Sequence, residues 1–115
     1  MLATLSFQKL DVYRRAIEFF AMSVALLDAA PRGYGSLKEQ LRSAALSIPL
    51  NIAEGAGRLS EADAARHYGI ARGSAMECAA IVDALQVLEA IGEEEYAKAI
   101  ELLARIVAML TRLCQ

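Results

Sequence analysis

The feature that most constrains this chain is an apolar spacing of alternating three and four residues, sustained through several segments and interrupted only by short breaks. Leu10, Tyr13, Ile17, Phe20, Val24 and Leu27 follow that spacing, which places all six on one face of a helix. Leu37, Leu41, Ala44, Ile48 and Ile52 repeat it, as do Tyr96, Ile100, Leu103, Val107, Leu110 and Cys114. A strand would alternate every second residue, so the spacing predicts helices throughout.

The breaks locate the helix ends. A first helix is expected from Lys9 to Ala30, stopped by Pro31-Arg32-Gly33-Tyr34-Gly35, since proline and glycine punctuate helices. A second runs from Ser36, read as its N-cap, to Gly55, followed by the tight connection Ala56-Gly57-Arg58-Leu59. Ser60 then caps a third helix, with Asp63 standing where a capping box has Glu. That helix is expected to reach Ile91, with Gly92 in the C′ position that favours glycine. Glu93, Glu94 and Glu95 open the fourth, where carboxylates complement the positive end of the helix dipole. Four helices on short connections predict an all-α fold, an antiparallel up-down-up-down four-helix bundle formed by residues 1–115 as a single domain.

Composition agrees and narrows the function classes. Of 115 residues 57% are hydrophobic and 23% charged, which excludes intrinsic disorder and leaves enough apolar mass for a real core. No apolar run approaches the ~20 residues of a membrane span. The opening MLATLSFQK lacks a signal peptide's long apolar stretch, so a cytoplasmic protein with no membrane partner is expected. Cys78 and Cys114 are too few for a disulfide framework or a metal knuckle and read as buried or half-buried thiols.

The first and fourth helices carry more apolar surface than one seam requires. Val12, Ala16, Phe19, Ser23 and Leu26 form a second stripe on the first, and Ala99, Leu102, Ile106, Met109 and Leu113 on the fourth. Each lies about 100° from the first stripe. A surplus of that width marks either a wide core contact in a compact bundle or an interface; the interface is the preferred reading, so the chain is expected to pair with itself through helices 1 and 4.

Polar residues interrupt the remaining seam. Arg42 to Arg58 carries Pro49 inside a helix, at a cost of ~3 kcal/mol and one backbone hydrogen bond, that of the Ala45 carbonyl. The proline should bend the helix beside a stripe holding Gln40, Ser47, Asn51, Glu54 and Arg58. The third-helix seam reads Asp63, His67, Ile70, Ser74, Glu77, Ile81, Ala84, Leu88 and Ile91. Folding back at residues 57–59 sets Asn51 and Glu54 level with Asp63 and His67, and Arg42 level with Ser74 and Glu77. A charge on a core seam needs a partner, so Arg42 is expected to pair with Glu77. Arg42, Ser47, Asn51, Glu54, Arg58, His67, Ser74 and Glu77 thus form a candidate polar network, for architecture or for binding. Gly69 and Gly73 each cost ~1 kcal/mol inside a helix and suggest a close backbone approach to Ala44 or Ala45.

Several chemistries fail on residue type. A di-iron bundle needs Glu-x-x-His pairs from two helices, and the only histidine is His67, with Asp63 four residues before it. Cys78 lies about 16 Å along the helix from His67, too far for a Cys–His couple. Gly55-Ala56-Gly57-Arg58 lacks the Lys-Ser/Thr of a phosphate loop. No catalytic residues, metal or cofactor are expected. Charge is uneven: residues 32–72 hold six cations against four carboxylates, and residues 76–101 one lysine against seven carboxylates.

The segments QLRSAALSIPLNIAEGAGR and SEADAARHYGIARGSAMEC, with Phe7-Gln8-Lys9-Leu10, Tyr13, Tyr34-Gly35 and Leu37, closely resemble the four-helix bundle proteins encoded in 23S rRNA intervening sequences. That resemblance implies a ring-shaped homo-oligomer, typically a pentamer, whose molecular function is not established. A related branch, the accessory variability determinants of diversity-generating retroelements, works with RNA and a reverse transcriptase through a basic surface. This chain departs from that branch in its pI of about 5.4. An RNA or RNA-processing partner would have to meet Arg14, Arg15, Arg32, Lys38, Arg66 and Arg72 on the assembled ring. The first expectation is a non-enzymatic oligomeric scaffold, the second an RNA-associated accessory protein.

Overall fold

A computed structural model describes residues 2–115, with no strand among them. A 3-10 turn, Ser6–Lys9, precedes four α-helices: α1 Asp11–Ala29, α2 Gly35–Ala56, α3 Glu61–Val87 and α4 Glu93–Leu113. Each helix packs closely against two others in the closed cycle α1, α2, α3, α4, and the Cα atoms of the diagonal pairs stay more than 8 Å apart. The core is therefore one apolar column. It is lined by Phe19 and Leu26 of α1, Leu41, Ile48 and Ile52 of α2, Val82 and Leu85 of α3, and Leu103, Ile106 and Leu110 of α4.

The helix ends follow local chemistry. At the start, the Leu5 amide donates to Gln8 Oε1 at 2.7 Å and closes the 3-10 turn. Extended Leu10 then delays α1 to Asp11, two residues later than the spacing suggested. Gly33, at a φ of 97°, supplies the left-handed residue of the first connection. Ser36 is not a cap: α2 begins at Gly35, with Tyr34 before it making no side-chain cap bond. Ser60 does cap α3, its Oγ accepting the Asp63 amide at 3.1 Å.

The end of α3 differs from the expectation. The helix stops at Val87, not Ile91, and Glu89 rather than glycine takes the left-handed conformation, at a φ of 57°. The Ala90 amide donates to the Leu85 carbonyl and the Glu89 amide to the Gln86 carbonyl, both at 2.9 Å. These are the two bonds of a Schellman motif, made here without its usual glycine. Gly92 instead precedes α4 in extended backbone, its amide bonded to Glu95 Oε1.

Burial reverses the two stripes of α1. Val12, Ala16, Phe19, Ser23 and Leu26 are buried, whereas Ile17, Phe20 and Val24 are 41%, 37% and 54% exposed. Periodicity fixes the angle between two stripes but not which one turns inward. The buried Ser23 hydroxyl does not lack a partner, since it donates to the Phe20 carbonyl at 2.6 Å. In α4 both stripes contribute to the core: Ala99, Leu102 and Ile106 from one, Leu103 and Leu110 from the other.

On α3 the buried face is His67, Ala71, Ala75, Cys78, Ile81, Val82 and Leu85, rotated from the expected seam so that Ile70 and Glu77 are exposed. Gly69 and Gly73 are exposed too, with open space where a Cβ would stand, so they make no close approach to α2. The close approach lies elsewhere. A Cβ on buried Gly55 of α2 would stand 2.7 Å from Tyr68 Cε1 of α3. α2 runs through buried Pro49 without interruption.

Candidate functional site

The polar residues of α2 and α3 meet as a chain of bonds along the groove between the two helices. At its inner end the Ser74 hydroxyl donates to Ser47 Oγ at 2.8 Å. Asn51 Nδ2 donates to the same Oγ at 3.1 Å and to the Ser47 carbonyl at 3.0 Å. Asn51 Oδ1 faces His67 Nδ1 at 3.2 Å, and Glu54 Oε2 lies 3.4 Å from the same nitrogen. The other ring nitrogen, Nε2, stands 3.1 Å from Arg66 Nη2. At the outer rim Arg58 reaches Glu54 at 3.5 Å and Asp63 at 3.8 Å, and Arg66 Nε lies 3.4 Å from Asp63 Oδ1.

The bonding pattern assigns the tautomer. A guanidinium only donates, so Nε2 must accept from Arg66, and the ring proton sits on Nδ1. Nδ1–H then donates to Asn51 Oδ1 with Glu54 beside it. The His67 side chain is only 6% exposed, and both its nitrogens have partners. The Ser47 and Ser74 hydroxyls bond to each other and not to His67, so the cluster holds no nucleophile–base couple.

Two expected members lie outside it. Arg42 is exposed and paired with Glu39 on its own helix, and exposed Glu77 forms no ion pair among the described residues. The expected Arg42–Glu77 pair is absent because the seam containing Glu77 turns to solvent, where a carboxylate needs no partner. Two members were not expected as such. The sequence marks Arg66 only as a nucleic-acid contact, and Asp63 only as a capping and seam residue. Their spacing of three on one helix was the available signal.

The six cations proposed for RNA are not gathered. Arg15 is held by Asp11 and Glu18, Arg66 by Asp63 and His67, and Arg72 donates to Thr111 Oγ1 at 2.8 Å. Arg14 Nε donates to the Gln8 carbonyl at 3.4 Å. Arg32, exposed, lies in the first connection and half-buried Lys38 in the first turns of α2. Thus α1 and α3, which lie diagonally across the bundle, hold four of the six.

Three groups outside the groove have raised pKa values. Burial, with Glu77 adjoining, pushes the Cys78 thiol up to about 12, so it stays protonated and unreactive. The Tyr96 hydroxyl donates to Asp83 Oδ1 at 2.7 Å, tying α4 to α3, and that bond raises its pKa. Burial raises Tyr68. Among the described residues no three His, Cys, Asp or Glu side chains are placed to hold a metal ion, and no helix is long and apolar enough to cross a membrane.

Comparison with known proteins bears on the whole chain. A solved protein of unknown function from the S23 ribosomal protein family of Bacteroides thetaiotaomicron VPI-5482 superimposes with a TM-score of 0.83 at 24% identity. The match covers 90% of this chain and 98% of that one, which establishes a shared fold. No curated protein is similar enough to match. The family model described as 23S rRNA-intervening sequence protein matches residues 8–112, a span that takes in α1 to α3, α4 up to its last residue but one, and the whole polar groove. The chain therefore belongs to the 23S rRNA-intervening sequence protein family.

Proposed function

We propose that this protein is a non-enzymatic, cytoplasmic scaffold that assembles with copies of itself, each an antiparallel up-down-up-down bundle. The observation that carries the reading is the apolar stripe Ile17, Phe20 and Val24, left open to solvent on α1 while a parallel stripe fills the core. A monomer of this size has no use for a second apolar stripe on one helix, and exposed apolar surface of this kind marks association. The antiparallel arrangement is supported by the order of contacts. Ser47–Ser74 and Asn51–His67 run oppositely along α2 and α3, as do Arg72–Thr111 and Asp83–Tyr96 along α3 and α4. The saturated groove between α2 and α3 supports an architectural role for the polar network, and the pentameric ring follows from the family resemblance. Static light scattering tests the reading: a mass several times 12.4 kDa at micromolar concentration is expected, and a monomer contradicts it.

A second reading, association with RNA or an RNA-processing protein, draws on Arg14, Arg32 and Lys38, for which no carboxylate partner lies within ion-pair distance among the described residues. RNA affinity that falls steeply with added salt would support it, and no binding at low salt contradicts it.

A further inference from the structure

The edge of the bundle opposite the exposed α1 stripe carries a groove. Met76 and Ala79 of α3 and Ile100, Ala104, Val107 and Ala108 of α4 line an almost wholly apolar depression of about 340 Å³. Its α4 wall is set with alanines, so it is concave where the α1 stripe, built from Ile17, Phe20 and Val24, is convex. The stripe lies about 100° around α1 from the core face. It faces away from Arg15, Glu18 and Met22, which border α4, and so sits on the α1/α2 edge. Because the helices pack only in the cycle α1, α2, α3, α4, the α1/α2 and α3/α4 edges are on opposite sides of the molecule.

Resting on the self-association proposed above, we infer that the α1 stripe of one copy seats in the α3/α4 groove of the next, a head-to-tail contact between unlike surfaces. Large side chains then meet small ones, as knobs meet holes in helix packing. Pairing groove with groove would leave a void, and pairing stripe with stripe would set ridge against ridge. Charge favours the same arrangement. Residues 9–58 carry seven cations and five carboxylates, and residues 61–112 carry five cations and nine carboxylates. The half of the chain holding α1 and α2 is thus net positive and the half holding α3 and α4 net negative, so contact between unlike halves is favoured over contact between two α3/α4 halves. A contact of this type leaves an unused stripe at one end and an unused groove at the other, so it propagates until the ring closes.

Complementation between two defective variants tests the pairing. Val24→Asp disables the stripe and Ala104→Glu the groove; both positions are exposed, and each variant is accepted only if its helical circular dichroism and cooperative melting match the native chain. Ile17→Asp and Ala108→Glu are the replacements if either fails to fold. Each variant alone should be monomeric, losing association at least tenfold. An equimolar mixture should form a dimer and nothing larger, because one intact stripe and one intact groove remain. Groove variants that assemble like the native protein overturn the pairing while leaving self-association standing. Variants that are monomeric alone and in the mixture also overturn it. A native chain that is monomeric overturns both.

Discussion

His67 of α3 donates its Nδ1 proton to the Asn51 side-chain oxygen of α2 across 3.2 Å, and Asn51 hands the chain of bonds on to Ser47. This contact joins the two helices beside the buried Ile48 and Ile52 of α2 and Ala71 of α3. A buried donor left without its acceptor costs about 1–3 kcal/mol. Asn51→Leu should therefore destabilise the protein by about that amount, read from the urea midpoint. A double-mutant cycle with His67→Phe should return a coupling of about 0.5–3 kcal/mol. Strictly additive single effects would show that the two side chains do not act together.

The close approach of α2 to α3 is made by Gly55 and not by the two exposed glycines of α3. Gly55→Ala brings a Cβ to 2.7 Å of the Tyr68 ring and should cost about 1–3 kcal/mol by overpacking. Gly69→Ala and Gly73→Ala meet open space and should each stabilise by about 0.5–1 kcal/mol through helix propensity. Thermal melts of the three variants would show opposite signs, and a neutral Gly55→Ala would contradict the packing described.

Glu89 holds a left-handed backbone that a side chain adopts at a cost of about 1–2 kcal/mol. Glu89→Gly should raise stability by about 1 kcal/mol without altering the fold. An unchanged or lowered melting temperature would mean that the α3–α4 corner is shaped otherwise.

The two thiols should separate cleanly. Cys78 is buried, with its pKa pushed up to about 12, whereas Cys114 is half-buried with Sγ 3.9 Å from the Ala65 carbonyl. At pH 8 a disulfide reagent should titrate one thiol per native chain and two in denaturant. The sign follows from the raised value. The neutral thiol is the form the fold favours, so this stabilising contribution is complete below the ordinary thiol range and fades as pH climbs toward 12. Two fast thiols in the native state would contradict the burial of Cys78.

How much was legible in the sequence depended on how many faces a residue had to choose between. The α2 stripe Leu41, Ala44, Ile48 and Ile52 is buried as its spacing implied, while Leu46 and Leu50, which do not share that spacing, stay exposed on another face. The Asn51–His67 contact followed from the short connection at residues 57–59, which leaves little freedom in hairpin register. On α1 two apolar stripes of equal period competed, and the larger side chains of Ile17, Phe20 and Val24 pointed to the wrong one. On α3, alanines at 71 and 75 carry the core. So small a residue gives a weak apolar signal, and Ile70 and Glu77 were drawn into the seam instead. Nothing in residue type marked Glu89 for a left-handed turn, since the glycine three residues later offered the commoner solution. The pairing of Gly55 with Tyr68 joins two helices at a spacing that sequence periodicity does not encode.

Association through the stripe left exposed on α1 is read most directly by sedimentation equilibrium of the unmodified chain across the micromolar range. A mass that is a multiple of 12.4 kDa and persists in high salt is expected, because an apolar contact is not screened. A mass of 12.4 kDa at every concentration would contradict it.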